Sequence, residues 1–193
     1  MVLYKGIYPI LWGIEMATEK FKALVHFMVH ECVNNPGRLG AVRLNKALWF
    51  TDVISYKSNG TSVTGEKYVK RQRGPVPARI LSTLEELVAE DKIIIREPEF
   101  QYDSRKFLAL ARPDPSVLSE SERDLAATVL ETVCGHSAND ISELSHDIIW
   151  ESAAEGEEIP LYATLAADKG EISEDVRLWA DGITETMLNT ELS

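Results

Sequence analysis

Gly74-Pro75-Val76-Pro77 constrains this chain more than any comparable stretch in it. Each proline fixes its own φ, lacks an N–H, and biases the residue before it away from the helical region. A helix cannot run through the tetrapeptide, so it forces an extended lead into the next element. Helical spacing stands on both sides. Upstream, Leu44, Leu48, Thr51 and Ile54 share one stripe of a helix over about residues 41–57, which stops at Asn59-Gly60. Ala47, Trp49, Phe50 and Val53 widen the stripe until most of that helix should be buried. Downstream, Ile80, Leu81, Leu84, Leu87 and Val88 mark a helix over about residues 78–91, and residues 61–74 read as β-like or irregular.

Two further strand-like runs, residues 92–96 (KIIIR) and 106–110 (KFLAL), flank a polar turn around Tyr102-Asp103-Ser104 and predict a β-hairpin. Near the other end, Thr18 is a candidate N-cap for a helix bearing Phe21, Leu24, Val25, Met28 and Cys32, which ends at Asn34-Asn35-Pro36-Gly37. These elements predict a mostly helical α+β fold: a compact helical domain with a small β-hairpin, its helices packed around Trp49, Phe50, Leu81, Leu84 and Leu130. A chain of 193 residues can bury such a core without disulfides or a structural metal.

The segment 113–119 (PDPSVLS) is the one clear boundary, ending in a capping box, Ser119-x-x-Glu122, that starts a helix. It also divides the charge. Residues 1–112 carry 17 Lys+Arg against 12 Asp+Glu, net +5, and residues 113–193 carry 3 against 19, net −16. The formal total of −11 has the wrong sign for a general nucleic-acid binder, but the basic half could still meet an anionic partner. Ser137 opens a further short helix, residues 147–153 form another turn or helix before the acidic Glu155-Gly156-Glu157-Glu158, and Ser173 caps a last helix. The apolar residues 1–15 are too short to span a bilayer and make a poor signal peptide. They read as an ordered strand or packing arm, or as an extension upstream of a start at Met16. The resulting division is an arm over 1–15, a domain over 16–165, and a C-terminal helix and tail over 166–193.

Catalysis finds no support. Cys32 and Cys134 lie far apart in sequence and in no paired-cysteine motif, which suits a reduced, cytoplasmic protein. His26 and His30 have the i, i+4 spacing of a helical metal site, but Phe27 stands where the H-E-x-x-H motif needs glutamate. No phosphate-binding glycine loop or nucleophile elbow occurs, and no cofactor is expected.

The middle of the chain carries a distinctive string: Leu44-Asn45-Lys46-Ala47-Leu48-Trp49-Phe50-Thr51-Asp52, then Tyr56, Gly60, Thr64-Gly65, Tyr68 and Gly74-Pro75-Val76-Pro77. Downstream follow Leu144-Ser145-His146, Trp150, Gly156, Ile159 and Tyr162. In order and spacing, from about Lys20 to Tyr162, this resembles the Panacea domain, the SocA-like antitoxin domain of bacterial and phage toxin–antitoxin systems. The resemblance implies a binding protein that neutralises a cognate toxin by direct contact. It also implies a second mode, as an adaptor delivering the toxin to a protease, and it leaves the toxin class and the oligomeric state open.

Most of the string reads as scaffold: Asn45, Lys46, Trp49, Phe50, Gly65, Gly74, Pro75, Pro77, Ser145, His146 and Trp150. Asp52 and Tyr56, four apart on one helix side, either bond within the fold or edge a partner groove, and internal bonding is favoured. In Ser145-His146-Asp147, the favoured reading has Ser145 capping the next helical turn and His146 satisfied internally, against a base paired with a carboxylate. The expected partner surface is Asp52, Tyr56, Thr64, Tyr68, Lys70, Arg71 and Arg73, because a basic, aromatic, turn-rich stretch suits Arg and Tyr hot spots. The rival is a winged-helix-like regulator binding operator DNA. Its recognition helix would set Arg79 against Glu85, Glu86, Glu90 and Asp91, a balance that repels phosphates.

Overall fold

The structure is a computed structural model that describes residues 8–98 and 105–167. It opens with α1 (Tyr8–Glu31). Thr18 is therefore inside a helix and not at its N-terminus, and the strand expected near the N-terminus is helix over residues 8–14. Pro9 stands in the first turn, where a missing N–H costs no intrahelical bond, and Gly13 alone is too weak a breaker to stop the helix. Residues 1–7 lie outside the described residues, as do the turn around Tyr102-Asp103-Ser104 and the helix expected from Ser173. No helix among the described residues is long and apolar enough to cross a membrane.

α2 (Ala41–Asn59) follows a short turn and ends on Gly60, whose φ of +74° closes the helix in the left-handed conformation. β1 (Tyr68–Arg71) and β2 (Gly74–Pro77) then form an antiparallel hairpin with Tyr68 opposite Pro77 and Arg71 opposite Gly74. The extended Gly-Pro-Val-Pro lead is thus a strand. The short β5 (Glu158–Ile159) pairs on the other side of β1, giving the order β2-β1-β5. α3 (Ile80–Ala89) leads into the expected hairpin of β3 (Ile93–Arg96) and β4 (Lys106–Ala109).

Ser119 caps α4 (Glu120–Gly135) with both bonds of the capping box, and Ser137 caps α5 (Ala138–Glu143) through Asp140 N at 3.1 Å. α6 (Ile148–Ser152) is capped by Asp147, whose Oδ1 accepts from Ile149 N at 3.1 Å and Trp150 N at 2.9 Å. Ser145 is not the cap; its hydroxyl donates to Ser142 O at 2.7 Å. The described chain ends in α7 (Thr164–Ala167).

The main core is built by α1, α2, α3 and α4, with Phe21, Leu24, Met28, Leu44, Leu48, Leu84, Leu87 and Leu130 buried together with Ile93 and Phe107 of the β3–β4 hairpin. Leu81 is a correction: it is 63% exposed. Ile80, Leu84 and Leu87 face inward from α3, and the 100° step to Leu81 turns it outward. Phe50 is only half-buried at the edge of the core. Trp49 belongs to a second cluster with Val53, Tyr68 and Ile159, which fastens the three-stranded sheet to α2.

Candidate partner-binding site

The second cluster surrounds a buried carboxylate. Asp52 accepts hydrogen bonds from Thr64 N at 3.0 Å and Tyr68 OH at 2.8 Å, and a third from the Thr64 hydroxyl. Thr64 Oγ1 also accepts from Glu66 N at 3.0 Å. Burial pushes the Asp52 carboxyl above its ordinary pKa, against the pull of the Thr64 and Tyr68 bonds. Burial and the Asp52 charge likewise push the Tyr68 phenol well up. Trp49 packs edge-on against Tyr68 with ring centroids 4.9 Å apart. Beside it, buried Glu66 receives Arg79 Nε and Nη2, both at 2.8 Å. Gly65, at φ +67°, makes the turn between them. Asp52, Thr64 and Tyr68 are therefore interior residues that pin β1 to α2. Tyr56, half-buried, takes no part in the cluster.

The hairpin tip lies beyond this anchor, with Arg71, Gln72 and Arg73 all exposed. It is held on its far side by residues from the acidic half. Lys70 Nζ donates to Ala153 O at 2.8 Å and Glu151 O at 3.2 Å, and sits 4.3 Å from the centre of the Trp150 ring. Trp150 Nε1 donates to Arg71 O at 3.2 Å, and His146 stacks on the Trp150 ring with centroids 3.8 Å apart. Arg71 lies 3.6 Å from Glu155, and Lys67 pairs with Glu158 at 2.8 Å. Backbone bonds from Lys70 N to Glu157 O and from Gly156 N to Lys70 O complete the join. The acidic segment over residues 151–159 thus docks on the basic strand of the same chain. His146 is not internally satisfied as expected: its Nε2 is buried and makes no hydrogen bond.

Between the hairpin and the start of α2 is a cavity of about 320 Å³, lined by Ala41, Val42, Asn45, Lys46, Val76 and the hairpin tip, with Glu155 at its rim. Lys46 is 1% exposed and its Nζ makes no hydrogen bond among the described residues. Burial alone brings its pKa down to about 7. Gly74, at φ +102°, comes so near that a Cβ there would stand 1.9 Å from Lys46 Nζ and 2.4 Å from Ser145 Oγ. Lys46, Gly74 and Ser145, dispersed in sequence, converge here, which gives the glycine two reasons: its backbone angle and the absence of room. A separate groove of about 400 Å³, lined largely by Phe50, Ile54, Leu125, Val129, Val133 and Leu144 of the α2–α4–α5 face, is apolar.

Sequence reasoning did not foresee the burial of Lys46, the Glu66–Arg79 pair or the meeting of the two cysteines. Cys32 and Cys134 are neighbouring free thiols, and Cys134 Sγ donates to Arg38 O at 3.6 Å. The Cys32 thiol beside it, with Arg38 and Arg43 nearby, brings the Cys134 pKa down to about 7 while the Cys32 thiol is pushed up. His26, one of the spaced histidines, is buried with Nε2 at 3.0 Å from Ala111 O.

Comparison with known proteins gives one informative result. The family described as antitoxin SocA-like, Panacea domain matches residues 44–151, a stretch that holds most of α2, both hairpins, α3, α4, α5 and nearly all of α6. Neither the curated proteins nor the solved structures contain a match to the chain.

Proposed function

Because the chain belongs to the family of SocA-like antitoxins with a Panacea domain, we propose that it neutralises a cognate toxin by direct protein–protein binding in the cytoplasm, performing no chemistry of its own. The observation that supports this placement is the hairpin tip. Arg71, Gln72 and Arg73 are exposed on a turn whose base is fixed by the Asp52 cluster and whose flank is held by Lys70 and Trp150. A rigid loop presenting arginines loses little freedom on binding, and arginine is among the residues most enriched at hot spots. The toxin surface that fits it is acidic.

Asp52, Thr64, Tyr68 and Lys70 serve this reading from inside, by positioning the strand; Arg71 and Arg73 serve it from the surface. Operator DNA is less well suited, since Arg79 on the candidate recognition helix is engaged by Glu66 while Glu85, Glu86 and Glu90 are exposed.

The test is affinity for the toxin encoded beside this chain. Reversing charge at Arg71 and Arg73 should weaken binding at least tenfold with the circular dichroism spectrum unchanged. Unchanged affinity, with loss instead on Ile54→Asp or Leu144→Asp, would put the toxin on the apolar groove and overturn the placement.

A further inference from the structure

The cavity at the start of α2 gathers positive potential from three separate sources. The first is the helix itself. Gly40 is its N-cap and offers no capping side chain, so the first-turn N–H groups have no intrahelical acceptor; Ala41 and Val42 of that turn line the cavity, and no acidic residue stands in it. The second is Lys46, buried in the cavity's lining with an unbonded ammonium. The third is the pair of arginines on the hairpin tip, of which Arg71 is only loosely engaged by Glu155 at 3.6 Å.

A buried, unbonded lysine is costly in a fold that could have placed a hydrophobic side chain there. The surrounding residues do nothing to relieve it: Gly74 leaves space for the amine without bonding it, and the Ser145 hydroxyl donates to Ser142 O. A site with this composition lacks one thing, an acceptor of negative charge. We propose that the cavity is a binding site for the phosphoryl group of a small phosphate-bearing ligand, held by the α2 N-terminus, Arg71 and Arg73 over the buried charge of Lys46.

Size and wall chemistry favour such a ligand over a lone carboxylate. A volume of about 320 Å³ exceeds what one carboxylate fills. Ala41, Val42 and Val76 leave apolar wall for the part of the ligand that carries the phosphate. Arginine forks and helix N-terminal amides are the usual partners of phosphate oxygens. The depressed pKa of Lys46 is consistent with this, because a neighbouring anion would restore its protonated form. Among the described residues that line the cavity, Glu155 is the carboxylate; its pairing with Arg71 is the contact that phosphate would displace. This site goes beyond toxin neutralisation and is tested on the antitoxin alone, so its failure would leave that function untouched.

The experiment is titration of the full chain with inorganic phosphate and pyrophosphate, followed by amide chemical shifts, with acetate at equal ionic strength as the comparison. The wild-type protein should show saturable shifts at Ala41, Val42 and Gly74. Lys46→Met should weaken pyrophosphate binding at least tenfold while remaining folded. Val42→Glu, which adds a carboxylate at the helix N-terminus without touching Lys46, should abolish it. Overturning results are unsaturable shifts in the wild type, unchanged binding in both variants, or acetate binding as tightly as pyrophosphate, which would make the site a carboxylate acceptor for an acidic side chain of a protein partner.

Discussion

Replacing Lys46 with methionine should make this protein more stable, against the usual effect of changing a buried residue. Lys46 is 1% exposed, its ammonium has no hydrogen-bond partner, and its pKa falls from 10.5 to about 7. In the unfolded chain the amine keeps its ordinary pKa. Between about pH 7 and pH 10.5 the unfolded state therefore binds a proton that the folded state has released, and the contribution of Lys46 to stability rises with pH across that window. Below about pH 7 the whole cost applies. Some three and a half units at 1.36 kcal/mol each correspond to about 5 kcal/mol. Relaxation around a real buried amine reduces that, and swaps of buried ionic groups for apolar ones of similar volume commonly yield about 1–4 kcal/mol. We expect Lys46→Met to stabilise the fold by about 2–4 kcal/mol at pH 7, with the advantage shrinking steadily toward pH 10. The assay is urea unfolding of both proteins by circular dichroism at several pH values, taking the difference so that groups common to both cancel. A variant less stable than wild type at pH 7, or a difference that does not change with pH, would refute the reasoning, since either means the ammonium is charged and well solvated.

The other predictions are narrower. Asp52→Asn removes the charge that Thr64 and Tyr68 bond and gives Tyr68 OH a poorer acceptor, so it should cost about 2–4 kcal/mol by urea unfolding. Iodoacetamide at pH 7 should alkylate Cys134 well before Cys32, read by peptide mass mapping, because Cys134 is the less buried thiol and its pKa is lowered while that of Cys32 is raised. Ser119→Ala should cost about 1 kcal/mol through loss of the α4 capping box.

What the sequence disclosed follows how local its causes are. The Ser119 box, the Ser137 cap and the Gly60 stop each depend on residues within a few positions of one another, the β3–β4 hairpin on two runs that each carry their own strand pattern, and each is present as expected. Leu81 failed because one residue of helix phase decides between core and solvent, and the side α3 turns inward is set by its packing on α1. The cap at Asp147 was missed because Ser145 and Asp147 are both good cap types two positions apart. β5 is two residues long and pairs only because the acidic segment folds back on Lys70, so no local pattern marks it. Lys46 was legible only as a polar interruption of an apolar helix. Its burial comes from Gly74 and Ser145, which reach it through the tertiary fold. The same distance hid the neighbourly placement of Cys32 and Cys134.

Membership of the antitoxin family makes toxin neutralisation the central claim, and inhibition of the purified toxin tests it most directly. The cognate toxin would be assayed for its own activity with increasing amounts of this protein. The account predicts stoichiometric loss of toxin activity on forming a complex, with no protease or DNA present, and recovery of activity when Arg71 and Arg73 carry reversed charge. A toxin that stays fully active beside a saturating amount of folded antitoxin, yet is silenced once a protease or operator DNA is added, would contradict direct neutralisation and assign the chain to adaptor or regulator.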